Sequence, residues 1–312
     1  LLCYSFVERP VRFALGLAAI VLAGLVAPLN PSVPIHAERD FFGVLRVTHD
    51  RAERFHVLVH GDTIHGRQSL DPEDRLEPMS YYHRRGPLGQ VFAALDASSS
   101  PARVAAVGLG AGVMASYARP GDQWTFYEID PGAIAIARDE RYFTFLRDCR
   151  AAAPAIVAGD ARMRLREAPA RAYDLIVLDA FSSDSIPVHL VTREAITLYL
   201  DKLAPGGRIA FHVSHRLLDL KRVLGALAAD RGLVARVRED PPGAALARGQ
   251  DSSRWVVMTR GAAELGEIGA DSRWQPLPIA LDARPWTDDF SNVLGAVDWA
   301  ALGRQLADAA GR

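Results

Sequence analysis

The sequence predicts an α/β protein: a doubly wound, mostly parallel sheet preceded by a small antiparallel β subdomain. Three observations predict it. From residue 103 onward, short apolar runs alternate with helical patterns at the spacing of strand–helix–strand units. One of these runs, Val104-Ala105-Ala106-Val107, feeds directly into Gly108-Leu109-Gly110-Ala111-Gly112, with glycines at alternate positions. Ahead of them, residues 42–66 alternate apolar and polar positions with the period of half-buried strands.

Composition bounds what such a chain does. At 312 residues it can bury one good core and carry a smaller subdomain. Lys+Arg total 36 against 37 for Asp+Glu, a balance without a nucleic-acid footprint. Cys3 and Cys149 lie far apart and make neither a metal spacing nor a disulfide framework. His36, His49, His56, His60, His65 and His83 crowd the N-terminal half but give no ligand spacing on a helix, so no metal is expected.

The elements follow in order. Phe13–Leu29 is 17 residues without a charge, preceded by Arg9 and Arg12 and followed by Pro31 and Pro34. A bilayer-spanning helix needs about 17–25 such residues. The expectation is a transmembrane helix, hence a membrane-associated protein with its catalytic domain in the cytoplasm; a signal-peptide core or a buried helix would leave the same pattern. Residues 1–36 are read as this helix and a linker, 37–86 as the β subdomain, and 87–312 as the Rossmann-like domain. Within the subdomain, strands fall at 42–47, 55–60 and 63–66, turned at Asp50-Arg51 and Gly61-Asp62. A helix over 87–95 leads into strands at 103–108, 123–128, 155–158, 173–179, 207–213, 232–238 and 253–259. Helical patterns occupy 112–118, 131–139, 192–203 and 216–230, and a final helix lies near 298–309. The last two strands form an antiparallel hairpin.

Open α/β sheets bind ligands at the carboxyl ends of their strands, and four features of this chain fall there. Gly108, Gly110 and Gly112 let the backbone turn and approach a ligand with no Cβ in the way. The pattern is G-x-G-x-G, with Val113 where a dinucleotide fingerprint has its third glycine, and this favours an adenosyl-sulfonium ligand over NAD. Glu128 ends the next strand, where both ribose hydroxyls can donate to it. Asp160 is placed to accept from an adenine amino group, or to cap a helix. Asp179 closes the strand Tyr173–Leu178 and points into the same crevice. Ser182 and Ser183 lack a nucleophile-elbow pattern, whereas His212 and His215 flank a strand end near the crevice.

The series Gly-Leu-Gly-Ala-Gly, Glu-Ile-Asp, Gly-Asp-Ala and Leu-Asp-Ala-Phe-Ser-Ser-Asp resembles the spermidine synthase (polyamine aminopropyltransferase) branch of the class I S-adenosylmethionine-dependent methyltransferase fold. More narrowly, Arg39-Asp40-Phe41-Phe42-Gly43, His65–Leu70, Tyr81-Tyr82-His83 and Trp286–Ser291 are similar to bacterial members fused to a membrane region. The resemblance covers residues 37–295 and implies a homodimer. It implies that Gln68 touches the nucleoside or its sulfur, Glu128 the ribose and Asp160 the adenine. Asp179 and Asp184 would be the catalytic acids, and Tyr82 the tyrosine of a Tyr-His-Glu segment. Asp288 and Asp289 are candidates for a distal pair that anchors the far ammonium of the substrate. Two positions depart from the family: Ala111 replaces an aspartate that receives the donor's amine, and Arg84 replaces the glutamate after Tyr-His.

The function so implied is transfer of the aminopropyl group of decarboxylated S-adenosylmethionine to a small amine such as putrescine, with no metal and no nucleic-acid partner. The enzymatic alternative is methyl transfer from intact S-adenosylmethionine. The non-enzymatic one is a nucleoside-binding scaffold domain, against which Asp179 and Asp184 speak.

Overall fold

The computed structural model describes residues 6, 8–26, 34–50, 52, 54–61, 63–97, 101–180, 187–214, 218–240, 249–279, 284–299 and 303. Helix α1 (Pro10–Val26) comes first. Strands β1 (Pro34–Arg39), β2 (Val44–His49), β3 (Phe55–His60) and β4 (Thr63–Ser69) follow it as an antiparallel sheet in the order β1-β2-β3-β4. Asp40 caps the first turn by accepting from the N–H groups of Phe42 and Gly43, and Asp50 does the same for Arg54 and Phe55.

Helix α2 (Pro87–Asp96) opens on a proline, whose missing N–H is no loss at a helix start. The remaining elements are β5 (Arg103–Val107), β6 (Gln123–Glu128), α3 (Pro131–Arg138), β7 (Ala155–Ala158), α4 (Ala161–Glu167), β8 (Tyr173–Leu178), α5 (Arg193–Lys202), β9 (Leu203–His212), α6 (Leu220–Asp230), β10 (Val234–Glu239), β11 (Arg254–Thr259), α7 (Glu267–Ala270) and β12 (Gln275–Pro276). They form an eight-stranded sheet in the order β12-β10-β11-β9-β8-β5-β6-β7. Strands β5 to β9 pair in parallel, whereas β11 runs antiparallel to both β9 and β10. The chain winds one way through β5, β6 and β7 and the other way through β8 and β9, so the switch point lies between β5 and β8.

Burial explains why these runs became strands. Along β5, Val104 and Ala106 face one core while Ala105 and Val107 face the other. β8 divides the same way, Leu175 and Val177 against Ile176 and Leu178, all at 0% exposure. Strands buried on both faces read as continuous apolar runs. The first core joins the N-terminal sheet through Leu45, Val47 and Leu58 to Phe92, Trp124, Phe126 and Trp255. The second lies under α4, α5 and α6, with Tyr127, Ile196, Tyr199 and Phe211. The helices start where polar caps stand: Asp130 accepts from Gly132 and Ala133 N–H, Asp160 from Met163 N–H and Thr192 from Ala195 N–H.

The expectation of a membrane-spanning segment over Phe13–Leu29 is corrected here. α1 ends at Val26 after 17 residues and includes Arg12. At about 1.5 Å per residue such a helix falls short of the ~30 Å hydrocarbon core. No helix among the described residues is long and apolar enough to cross a membrane. The expected membrane-associated localisation, which rested on that helix, falls with it. Other boundaries moved less. The helical pattern at 112–118 is a short 3₁₀ turn over Val113–Tyr117, and most of the helix expected near 298–309 lies outside the described residues.

Candidate active site

A crevice opens at the switch point, between the carboxyl ends of β5, β6 and β8 and the edge of the N-terminal sheet. Its walls include Gly108, Gly110, Tyr127, Glu128, Asp160, Asp179 and Tyr82, with Phe42, Leu45, Leu58, His60 and His65 from the N-terminal sheet. Ile129, Pro187, His189 and Leu190 close the far end.

The glycine loop is fixed by its neighbours. Gly108 has φ +97°, and a Cβ there would lie 2.5 Å from the Asp179 carbonyl oxygen. Gly110 has φ +53°, and its Cβ would lie 2.3 Å from the His65 carbonyl oxygen. The loop thus packs at backbone distance against β8 on one side and β4 on the other, tied by Ala111 N–H donating to His65 O at 3.1 Å. Gly112 adopts a left-handed conformation (φ +82°) at the start of the 3₁₀ turn and is not on the crevice wall. Ala111 is fully buried against Gly66, where a Cβ would meet the alanine methyl at 2.6 Å. A side chain at 66 therefore needs the glycine loop to move.

Glu128 is aimed by the backbone. Its Oε2 accepts from Leu109 N–H at 2.8 Å and its Oε1 from Asp130 N–H at 2.9 Å. Each oxygen keeps a lone pair for a further donor. Asp160 is both helix cap and site residue: Oδ1 accepts from Met163 N–H, and Oδ2 meets His189 Nε2 at 2.9 Å.

Asp179 lies deepest, its side chain 2% exposed. Tyr82 donates its hydroxyl to Oδ2 at 2.6 Å, and His212 Nδ1 stands 2.7 Å from Oδ1. Burial, and then the charge of Asp179, push the Tyr82 phenol well above its ordinary range, so it stays protonated and donates. Tyr81 shifts the same way for the same causes and lies 3.1 Å from the Tyr82 oxygen. The result is a buried carboxylate held by two neighbours, with lone pairs left toward the crevice.

The structure brings together Gly108, Gly110, Glu128, Asp160, Asp179 and Tyr82 from the residues expected in sequence. It does not bring Gln68, Asp288 or Asp289. Gln68 is 3% exposed and its amide is taken up by Arg75 O, Thr144 Oγ1 and Thr144 N–H, away from the crevice wall. Asp288 forms a two-pronged pair with Arg162, both contacts at 2.6 Å, and accepts from Thr192 Oγ1. That pairing holds its carboxyl below the usual range. Asp289 is exposed and not on the wall. Asp184 lies outside the described residues. Arg84, the cation in place of the family's glutamate, is turned away from the crevice, pairing with Glu77 at 3.0 Å over the Tyr117 ring.

Asp288→Asn is accordingly expected to lower stability by about 1–2 kcal/mol, because it strips a partner from the buried Arg162 while the carboxylate side is half in water. Thermal unfolding reads that loss.

His212 was legible only as a strand-end histidine near the crevice; the tie to Asp179 carries no local signal. The acid pair below Glu128 was not foreseen either. Asp40, on the β1–β2 turn, and Asp130, the cap of α3, bring their carboxyl groups together beside Gly132, where Asp40 Oδ2 is buried. Burial, and then the neighbouring Asp40 carboxyl, raise Asp130 to about 7, while Asp40 is lowered, first by Asp130. The proton therefore sits on Asp130. A folded-state value above the unfolded one means stability that is full below about pH 4 and is lost as pH rises through 7. The wild-type Tm is expected to fall between pH 5 and 8 by more than that of Asp40→Asn, whose amide donates to Asp130 at every pH. Parallel Tm profiles would refute the shared proton.

No family model matches the chain. A polyamine aminopropyltransferase of Vibrio vulnificus (strain CMCP6) is 32% identical over 183 residues, 56% of this chain and 58% of that protein. The chain thus spans under two thirds of that relative's length. The crystal structure of a probable spermidine synthase from Corynebacterium glutamicum ATCC 13032 matches with a TM-score of 0.58 at 20% identity, covering 85% of this chain and 99% of that one. The fold is that of the spermidine synthases. The spermidine synthase of Thermotoga maritima matches with a TM-score of 0.50 at 16% identity, over 79% of this chain and 80% of that one. In the spermidine synthase fold of this chain, an antiparallel N-terminal sheet packs on the glycine loop of a Rossmann-like domain through His65 and Gly66.

Proposed function

We propose that the chain is an aminopropyltransferase of the spermidine synthase type, acting on decarboxylated S-adenosylmethionine and a diamine such as putrescine. The observation that carries this reading is the buried Asp179 carboxylate, held by Tyr82 and His212 and facing the glycine loop and Glu128 across one crevice. The likeness to a polyamine aminopropyltransferase supports it. In this reading residues 37–86 form the β subdomain over the site and 87–312 the catalytic domain.

Glu128 holds the ribose hydroxyls with its remaining lone pairs, and Asp160 accepts from the adenine amino group beside His189. Gly108 and Gly110 let the aminopropyl end lie against the backbone. The acceptor enters as an ammonium ion, drawn by the charge of Asp179. Asp179 takes one proton and leaves a free amine. The nitrogen lone pair attacks the methylene beside the sulfonium; the C–N bond forms as the C–S bond breaks, and that electron pair goes to sulfur. The leaving group is a neutral thioether, which needs no acid. The product is a secondary ammonium ion, and one proton leaves per turnover. Tyr82 keeps its own proton throughout and offers its ring to the cation. Asp184 belongs to the proposal as a second acid.

One observation favours a second reading. Ala111 offers no carboxylate to the donor's amine, which suits methyl transfer from intact S-adenosylmethionine. Calorimetric binding of the two donors to the chain separates them. Tighter binding of the decarboxylated donor is expected; tighter binding of the intact one would overturn the first reading in favour of the second.

A further inference from the structure

Asp179 is not held by the crevice alone. His212, at the end of β9, is 4% exposed and lies with its Nδ1 2.7 Å from Asp179 Oδ1 and its Nε2 2.7 Å from Ser214 Oγ. Its ring is stacked between Tyr81, at 4.5 Å and 23°, and Trp255, at 4.7 Å and 18°. Ser214 is placed in turn by β11, since its Oγ accepts from Arg254 N–H at 2.7 Å. The Ser214 hydroxyl hydrogen then has two acceptors in reach, Arg254 O at 3.5 Å and His212 Nε2 at 2.7 Å, and the shorter contact takes it. With Nε2 accepting, the imidazole proton sits on Nδ1 and is donated to Asp179. Three strands, β8, β9 and β11, thus converge on one carboxylate oxygen.

We propose that His212 is the positioning residue of Asp179: its Nδ1–H, fixed in that tautomer by Ser214 and clamped by Tyr81 and Trp255, orients the carboxylate toward the acceptor amine. The proposal rests on the aminopropyltransferase reading. It adds to that reading a residue that never touches substrate yet governs turnover. The physical need is clear. A buried carboxylate with one free oxygen would rotate away from the crevice to find a donor, and donors fixed on both oxygens hold one face open. Tyr82 supplies one from the N-terminal side and His212 the other from beneath the sheet.

Two substitutions separate positioning from packing. His212→Phe keeps an aromatic ring between Tyr81 and Trp255 but has no N–H. His212→Asn loses the stack but places an amide N–H near the position of Nδ1. Positioning predicts that His212→Phe lowers kcat on the order of 100-fold with little change in KM, and that His212→Asn recovers most of it. A purely structural role predicts the reverse order, and that order would overturn the proposal. A second readout needs no turnover. In ¹⁵N-labelled whole chain, His212 is expected to show a protonated Nδ1 and a bare Nε2, and Ser214→Ala to disturb that signature. A protonated Nε2 with a bare Nδ1 would overturn the proposal. Wild-type chain that transfers no aminopropyl group would instead overturn the function, and the nitrogen spectrum would still decide the role of His212.

Discussion

Under the proposed function, Asp179→Asn is expected to lower kcat for aminopropyl transfer by about 10³-fold, the range for loss of a general base, and to leave donor affinity near the wild-type value. The amide fills the same volume in a site whose side chain is 2% exposed. Its oxygen still accepts from His212 Nδ1–H, and the Tyr82 hydroxyl turns to receive its N–H. Only the charge and basicity are lost. In the proposed reading the donor's ribose is held from Glu128, at the end of β6 on the other side of β5, so binding is expected to survive. Steady-state kinetics with calorimetry of the variant checks both halves. A variant turning over at the wild-type rate would remove Asp179 from the chemistry.

The second large effect is on the glycine loop. Gly108→Ala places a Cβ 2.5 Å from the Asp179 carbonyl oxygen and 3.0 Å from its carbon, at φ +97°. Backbone atoms of β8 cannot swing aside as a flexible side chain can. The strain and the clash together are expected to destabilise the fold by about 3 kcal/mol or more and to abolish donor binding. Gly206→Ala is the matched control, with φ +76° and nothing within 4 Å of its Cβ. Only the left-handed conformation is charged there, about 1 kcal/mol. Chemical unfolding of both variants measures the difference, and equal losses would show that the approach of β5 to β8 is not tight.

The middle of the central sheet was legible because β5, β8 and β11 are buried on both faces and stand out as apolar runs. Strands 123–128 and 155–158 have the expected bounds. Helix α4 was not legible. Ala161–Glu167 is short and arginine-rich, with Ala161, Arg162 and Leu165 its buried residues, so its only clear signal was the cap at Asp160. The glycines, Glu128 and Asp179 could be read because they end strands, where the fold class itself places the ligand. Gln68 misled for a physical reason. β3 and β4 shift register between Leu58 and Val59, so Gly66 opposes Leu58 while Ile64 opposes Val59. A one-residue bulge re-aims the side chains that follow it. His65, the extra residue, reaches the crevice, whereas Gln68, opposite His56 and two residues beyond Gly66, reaches Thr144. Asp288 misled because its partner Arg162 is 126 positions away, a pairing that topology decides and local sequence does not show. Of the apolar N-terminal run, the described part is α1, Pro10–Val26, and no helix among the described residues is long and apolar enough to cross a membrane.

The central claim is that Asp179 turns an ammonium ion into a nucleophile toward an aminopropyl donor. Its most direct test is to incubate the chain with decarboxylated S-adenosylmethionine and putrescine and to follow the products by mass spectrometry. The account predicts methylthioadenosine and spermidine in equal amounts, lost together in Asp179→Asn. Methylated amine and S-adenosylhomocysteine from intact S-adenosylmethionine, with no aminopropyl product from the decarboxylated donor, would contradict it.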